Sequence, residues 1–215
     1  MAGKHSMSYI KDPTEIYRVS FAAIRREVDL SPFPKQLHNL VLRMVHAVAQ
    51  PEITENIAWR GDAATAALSA INEGAAILVD ANMVMAGIMK DRVTSDSPVI
   101  CMLRDESVPA LAQNLGTTRS AAAVELWRPH LAGAVVTIGN APTALFHLLE
   151  MLTDRDCPRP AAILAFPVGF IGAAESKQAL IDSNIDVPFV TLKGRQGGTP
   201  LAAAAVNSIL LEGDA

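Results

Sequence analysis

Gly116-Thr117-Thr118-Arg119-Ser120 opens a helix with a cation in its first turn. Thr117 or Thr118 supplies the N-cap, and the free N–H groups of such a start attract anions. A cation there opposes the helix dipole. Arg119 therefore either pairs with Glu125 or solvent, or meets an anionic partner. Lys193-Gly194-Arg195-Gln196-Gly197-Gly198-Thr199 sets two cations and three glycines between an apolar run and a helix. Backbone amides in such a loop can approach a carboxylate or a phosphate. It is not a Walker A loop, because Gly-Lys-[Ser/Thr] is missing. The Gly169–Gly172 turn is not a dinucleotide fingerprint either, since Gly-x-Gly-x-x-Gly is absent. Asn140 and Thr143 follow another apolar run, in Gly139-Asn140-Ala141-Pro142-Thr143.

One histidine stands apart from these donors and cations. Leu37, Leu40, Val41, Met44, Val45 and Val48 form the apolar stripe of a helix over about 35–50. His46 falls opposite, beside Lys35, Asn39, Leu42 and Arg43. It is either a solvated group or one pointed into a cleft or across an interface. Ser20 lies on the apolar face of the preceding helix, with Ile16, Val19, Ala23 and Ile24. Its hydroxyl either bonds back to a carbonyl one turn earlier or aims at a ligand. Asp80, ending an apolar strand, either acts as a base or starts a helix. His38, His130 and His147 show no metal-ligand spacing. Gly-x-Ser-x-Gly is absent, and no catalytic carboxylate pair stands out. An inventory of donors, cations and one off-stripe histidine suits binding a large polyanion and moving one proton.

The elements that must position these groups are legible from hydropathy. Residues 134–138, 162–166 and 187–192 are too apolar on both faces for half-exposed strands. Such strands belong to a parallel sheet covered on both sides. Residues 76–79 and 98–103 read as two more, and helices follow each run. The predicted fold is α/β: a mostly parallel, doubly wound (Rossmann-like) sheet with helices on both faces and an N-terminal helical segment. Turns after the strands open on one sheet edge, so Asn140, Thr143 and Arg195 can line one cleft. Asp12-Pro13-Thr14-Glu15 starts the first helix, with Glu15 closing a capping box. No linker divides residues 1–215, which read as one domain. Met1–Ser6 reads as a cloning remnant, with Met7 the natural start.

Composition narrows the function classes. Eighteen Lys and Arg against 22 Asp and Glu give a net charge of −4, which argues against nucleic acid as the main ligand. No apolar stretch reaches transmembrane length and no signal peptide is visible. Cys101 and Cys157 form neither a disulfide framework nor a metal motif, and Cys101 reads as a small core residue. A reducing, cytoplasmic compartment is expected.

Five blocks carry a resemblance. They are Arg43-Met44-Val45-His46-Ala47, Gly116-Thr117-Thr118-Arg119-Ser120-Ala121-Ala122, Ile138-Gly139-Asn140-Ala141-Pro142-Thr143-Ala144-Leu145, Phe166-Pro167-Val168-Gly169-Phe170-Ile171-Gly172-Ala173-Ala174-Glu175-Ser176-Lys177 and Gly194-Arg195-Gln196-Gly197-Gly198. In this order, and over nearly all of 9–211, the chain resembles the precorrin-8X methylmutases, or precorrin isomerases. The resemblance implies an isomerase that moves a methyl group from C-11 to C-12 of a tetrapyrrole, giving hydrogenobyrinate in cobalamin biosynthesis. It implies a suprafacial 1,5-sigmatropic shift without redox cofactor, metal or covalent intermediate. It further implies that His46 protonates a ring nitrogen and that Ser20, Arg43 and Arg119 surround the substrate. Arg195, Asn140 and Thr143 are added from their place after the apolar runs. A homodimer is implied too, with the pocket near the subunit interface. Two alternatives stay open: a tetrapyrrole carrier without turnover, and a mutase for the cobalt-containing ring.

Overall fold

The computed structural model describes residues 9–93 and 96–212. Met1–Ser6 lies outside the described residues. Two helices come first, α1 (Pro13–Glu27) and α2 (His38–Val48). Then follow β1 (Ile57–Arg60), α3 (Ala63–Asn72), β2 (Ile77–Val79), α4 (Asn82–Gly87) and β3 (Val99–Ile100). Next are α5 (Val108–Leu115), α6 (Arg119–Glu125), β4 (Val135–Ile138) and α7 (Pro142–Met151). The chain closes with β5 (Ala162–Ala165), α8 (Ala173–Asp182), β6 (Phe189–Leu192) and α9 (Thr199–Glu212).

The strands form one six-stranded sheet in the order β1-β6-β5-β4-β2-β3. Five are parallel, and β1 runs antiparallel to β6 with Ile57 opposite Leu192 and Trp59 opposite Val190. Every residue of β2, β4, β5 and β6 is buried. That is why these runs lack polar alternation. Successive side chains go to opposite faces. Val135, Leu164 and Val190 enter a core with α2, α3, α4 and α9. Val136, Ile163 and Phe189 enter a second core with α6, α7 and α8. The sheet is thus covered on both faces, as expected.

The direction of winding reverses at β2, which has β3 on one side and β4 on the other. The carboxyl ends of β2 and β4 therefore flank the switch point, the usual ligand crevice of such sheets.

The polar stretch 53–62 holds β1, although it has no long apolar run of its own. An edge strand of four residues, partly exposed at Ala58, Trp59 and Arg60, leaves too short a pattern to read. The strand expected over 98–103 shrinks to Val99–Ile100, which pairs with β2 alone at the sheet edge. Glu15 closes no capping box; its carboxylate bonds Arg18 instead, while Asp12 accepts from the Thr14 and Glu15 amides. Of the two cysteines, Cys157 is the buried one and Cys101 is half-buried.

Candidate functional site

α2 buries Leu40, Val41, Met44 and Val45 against the core, and Leu42 as well. The apolar sector is thus one residue wider than the stripe suggested. His46 stays exposed in the last turn, just before Ala49 ends the helix in a left-handed conformation (φ 53°). α1 packs against α2 but buries none of its residues. Tyr17, Ser20 and Phe21 lie three and four positions apart, so they share a face. Ser20 Oγ lies 3.1 Å from His46 Nδ1. The Phe21 ring stacks on the imidazole at 5.0 Å and on Tyr17 at 4.5 Å. Arg43 donates to the Tyr17 hydroxyl, and its guanidinium lies 5.4 and 5.6 Å from the Tyr17 and Phe21 ring centroids. Two shallow cavities flank this cluster. One, of about 260 Å³, is lined by Ser20, Ile24, Glu27, Val45, His46 and Pro51. The other, of about 300 Å³, takes in Tyr17, Phe21, Asn39 and Arg43. Ser20 is therefore neither a core serine nor bonded back to its own helix.

At the switch point the amides are already taken. Asp80, 4% exposed, accepts from Gly139 N–H at 2.8 Å, Asn140 N–H at 2.9 Å and Ala141 N–H at 2.7 Å. Burial pushes its carboxyl up, against the pull of those amides. Asp80 caps the turn before α7 rather than its own following helix. An anion cannot compete for donors that an internal carboxylate holds. This leaves the Asn140 side chain exposed on the outer side of the turn.

The loops along this sheet edge are stitched to one another. Val168 N–H donates to Asn140 O at 3.4 Å, and Gly169 N–H to Arg195 O at 3.2 Å. Gln196 Nε2 donates to Gln50 Oε1 at 3.2 Å, which ties the β6–α9 loop to the chain one turn past His46. Gly197 permits the close approach: a Cβ there would stand 2.4 Å from Phe166 O. Lys177 of α8 is fully buried and donates to Gln196 O. Desolvation lowers its ammonium pKa to about 8. Arg195 itself is exposed, its guanidinium 5.5 Å from the Phe170 ring centroid.

The remaining candidates gather at the start of α6. Thr118 is the N-cap, its Oγ1 accepting from Ala121 N–H and lying 2.8 Å from Thr143 Oγ1. Arg119 is exposed; Glu125 is bonded to His147 at 2.8 Å instead. The structure therefore brings Ser20, Arg43 and His46 into one group. The loop that carries Arg195 is linked to the end of α2 by the Gln196–Gln50 bond. Asn140 follows through the β5–α8 loop, and Thr143 with Arg119 lies beyond. Neither cavity at the histidine includes Asn140, Thr143, Arg119 or Arg195. Sequence reasoning missed Tyr17 and Phe21, although their i, i+4 spacing with the half-buried Arg43 opposite was a usable signal. It also missed the Asp80 bridge, which has no local signature. Among the described residues, no group of three or more His, Cys, Asp or Glu side chains is placed to hold a metal ion. No helix among them is long and apolar enough to cross a membrane.

Comparison with known proteins converges on one family. The family model described as Precorrin-8X methylmutase matches residues 15–212. Precorrin-8X methylmutase of Pseudomonas aeruginosa is 50% identical, over 96% of this chain and 99% of its own. That of Sinorhizobium sp. is 52% identical, over 95% and 97%. A cobalt-precorrin-8 methylmutase of Priestia megaterium is 33% identical, over 94% and 89%. A solved precorrin-8X methylmutase from Thermus thermophilus superposes with a TM-score of 0.83 at 35% identity, over 94% of this chain and 97% of its own. The chain belongs to the precorrin-8X methylmutase family.

Proposed function

We propose that this protein is the isomerase that moves a methyl group from C-11 to C-12 of precorrin-8X, giving hydrogenobyrinate on the route to cobalamin. Family membership supports the reaction class. The observation that carries the mechanism is the contact of Ser20 Oγ with His46 Nδ1. With one ring nitrogen engaged by Ser20, Nε2 is the nitrogen left to face a ligand. His46 lends a proton to a ring nitrogen of the substrate. This draws electron density from the macrocycle as the C-11–methyl bond breaks and the C-12–methyl bond forms. The proton then returns, so the atoms balance within the substrate and neither metal nor redox cofactor is needed. Positioned acid catalysis of this kind contributes about 10²–10⁴-fold. Arg43, Arg119 and Arg195 meet carboxylates, while Asn140 and Thr143 supply neutral donors along the same edge. The metal-free ring is the preferred substrate, because the relatives at 50% and 52% identity carry that name and the cobalt-precorrin relative stands at 33%. Incubating purified protein with precorrin-8X and with its cobalt form tests both points. No hydrogenobyrinate, read by absorbance and chromatography, would refute the activity.

Arg119→Ala and Arg195→Ala should each weaken ligand binding by up to about fivefold, the range of exposed ion pairs. The rate on bound substrate should change less. Added salt should weaken wild-type binding and do so less in each variant, since exposed pairs are screened. Absorbance titrations at two ionic strengths that give one affinity for all three proteins would remove both arginines from the site.

A homodimer is part of the reading. Ile16 and Val19 of α1 are 47% and 39% exposed beside Tyr17, at 42%, an apolar face that α2 covers only in part. The histidine cavity, about 260 Å³, is small for a tetrapyrrole. A second subunit on α1 would bury the face and close the pocket, and two-fold dimers are the commonest assemblies. Light scattering should give a dimer mass at micromolar concentration, and Ile16→Glu with Val19→Glu should yield monomers with weakened pigment binding. A fully active wild-type monomer would exclude the dimer. A cytoplasmic location and a single domain complete the reading, supported by two free thiols and by one sheet that takes in every strand among the described residues.

A further inference from the structure

The most exposed large apolar side chains among the described residues sit in the middle of the candidate edge. In the β5–α8 loop Phe170 is 86% and Ile171 91% exposed, with Val168 at 42%. Nothing disordered accounts for this, because both ends of the loop are fixed. Val168 and Gly169 donate to Asn140 O and Arg195 O, and Gly172 begins α8 at a φ of 77°. A Cβ on Gly172 would stand 3.3 Å from the Pro142 Cβ. The turn therefore holds two apolar side chains outward from a rigid base.

Their neighbours are polar. Asn140 adjoins on one side; on the other the Arg195 guanidinium lies over the Phe170 ring, with exposed Lys193 in the same loop. Gln196 and Gln50 then lead to the end of α2 and His46. An apolar patch with cations at its rim fits a ligand with a flat, apolar body and carboxylates at its edge. We propose that Phe170 and Ile171 form the platform on which one face of the macrocycle rests, while Arg195 clips a carboxylate at its rim. This rests on the tetrapyrrole reading above and names two substrate-positioning residues within it. A platform of this kind binds ground state and transition state alike, so it sets KM rather than kcat.

Phe170→Ala and Ile171→Ala test it, with Phe170→Trp as rescue and Arg195→Ala for comparison. Binding of precorrin-8X and hydrogenobyrinate is titrated by absorbance, and steady-state rates are taken at two ionic strengths. Burial of one such side chain predicts about tenfold to hundredfold weaker binding for each alanine variant. KM should rise with kcat nearly kept, and the salt dependence of wild type should persist. Phe170→Trp should bind within a fewfold of wild type. Affinity within twofold of wild type in both alanine variants would overturn the platform while leaving the methylmutase reading intact. Loss of affinity that tracks dissociation of the protein in sedimentation would also overturn it, by assigning the loop to a second copy of the chain. Wild type that neither binds nor converts precorrin-8X would remove the underlying reading, and the platform with it.

Discussion

His46→Ala should lower kcat for precorrin-8X by about 10²–10⁴-fold, the contribution of a positioned acid. Its pigment affinity should stay within a fewfold of wild type. The exposed ring carries no core packing, so the fold should not change. Its one hydrogen bond, to Ser20, is exposed. Removing a group that acts only during the shift reduces kcat and kcat/KM alike. Ser20→Ala should have the same signature at smaller size, about tenfold, because it frees the imidazole to turn without deleting the proton donor. Arg43→Ala should act on binding instead, by removing a carboxylate partner and freeing the Tyr17 and Phe21 rings it now braces. Rates are read from the absorbance change as substrate becomes hydrogenobyrinate. Turnover of His46→Ala within threefold of wild type would sink the proton-transfer role, and a tetrapyrrole carrier would become the better reading. Loss of binding together with rate would instead make His46 a structural wall of the pocket.

Asp80→Ala should produce the largest loss of stability. Three backbone amides lose their acceptor at once, and those of Gly139 and Ala141 are buried. An unsatisfied buried donor costs about 1–3 kcal/mol. The two buried amides therefore predict a loss of roughly 2–6 kcal/mol. For a chain of this size that lowers Tm by roughly 5–20 °C. The change also releases the turn that leads into α7, so the Thr118–Thr143 contact and the Val168–Asn140 bond should loosen. Pigment affinity should fall even at temperatures where the variant is folded. Asp80→Asn, which keeps one acceptor oxygen, should fall between the two. Thermal unfolding of Asp80→Ala within 1 °C of wild type would show that water replaces the carboxylate and that the bridge is incidental.

What could be read along the chain was whatever a short window contains. Four residues in a row at β4, β5 and β6, apolar on both faces, demand a covered parallel sheet, and they form one. Asp12 and the Thr117-Thr118 pair announce helix starts because a cap is a local bond to the next turn, and the structure selects Thr118 of the pair. The amphipathic stripe of α2 set His46 and Arg43 apart from the core because helical periodicity repeats within one element. The five blocks named the family because their order spans nearly the whole chain. What only the tertiary structure decided lies between segments. Ser20 meets His46 across 26 positions, and Asp80 meets Gly139 across 59. β1 pairs with β6 antiparallel at an edge where four residues give no pattern of their own. Gln50 reaches Gln196 across 146 positions and so ties the loop of Arg195 to the end of α2. Contacts of that range depend on how whole elements pack, and a hydroxyl or carboxylate looks the same in sequence whether its partner is water, its own helix or a loop from the far end of the sheet.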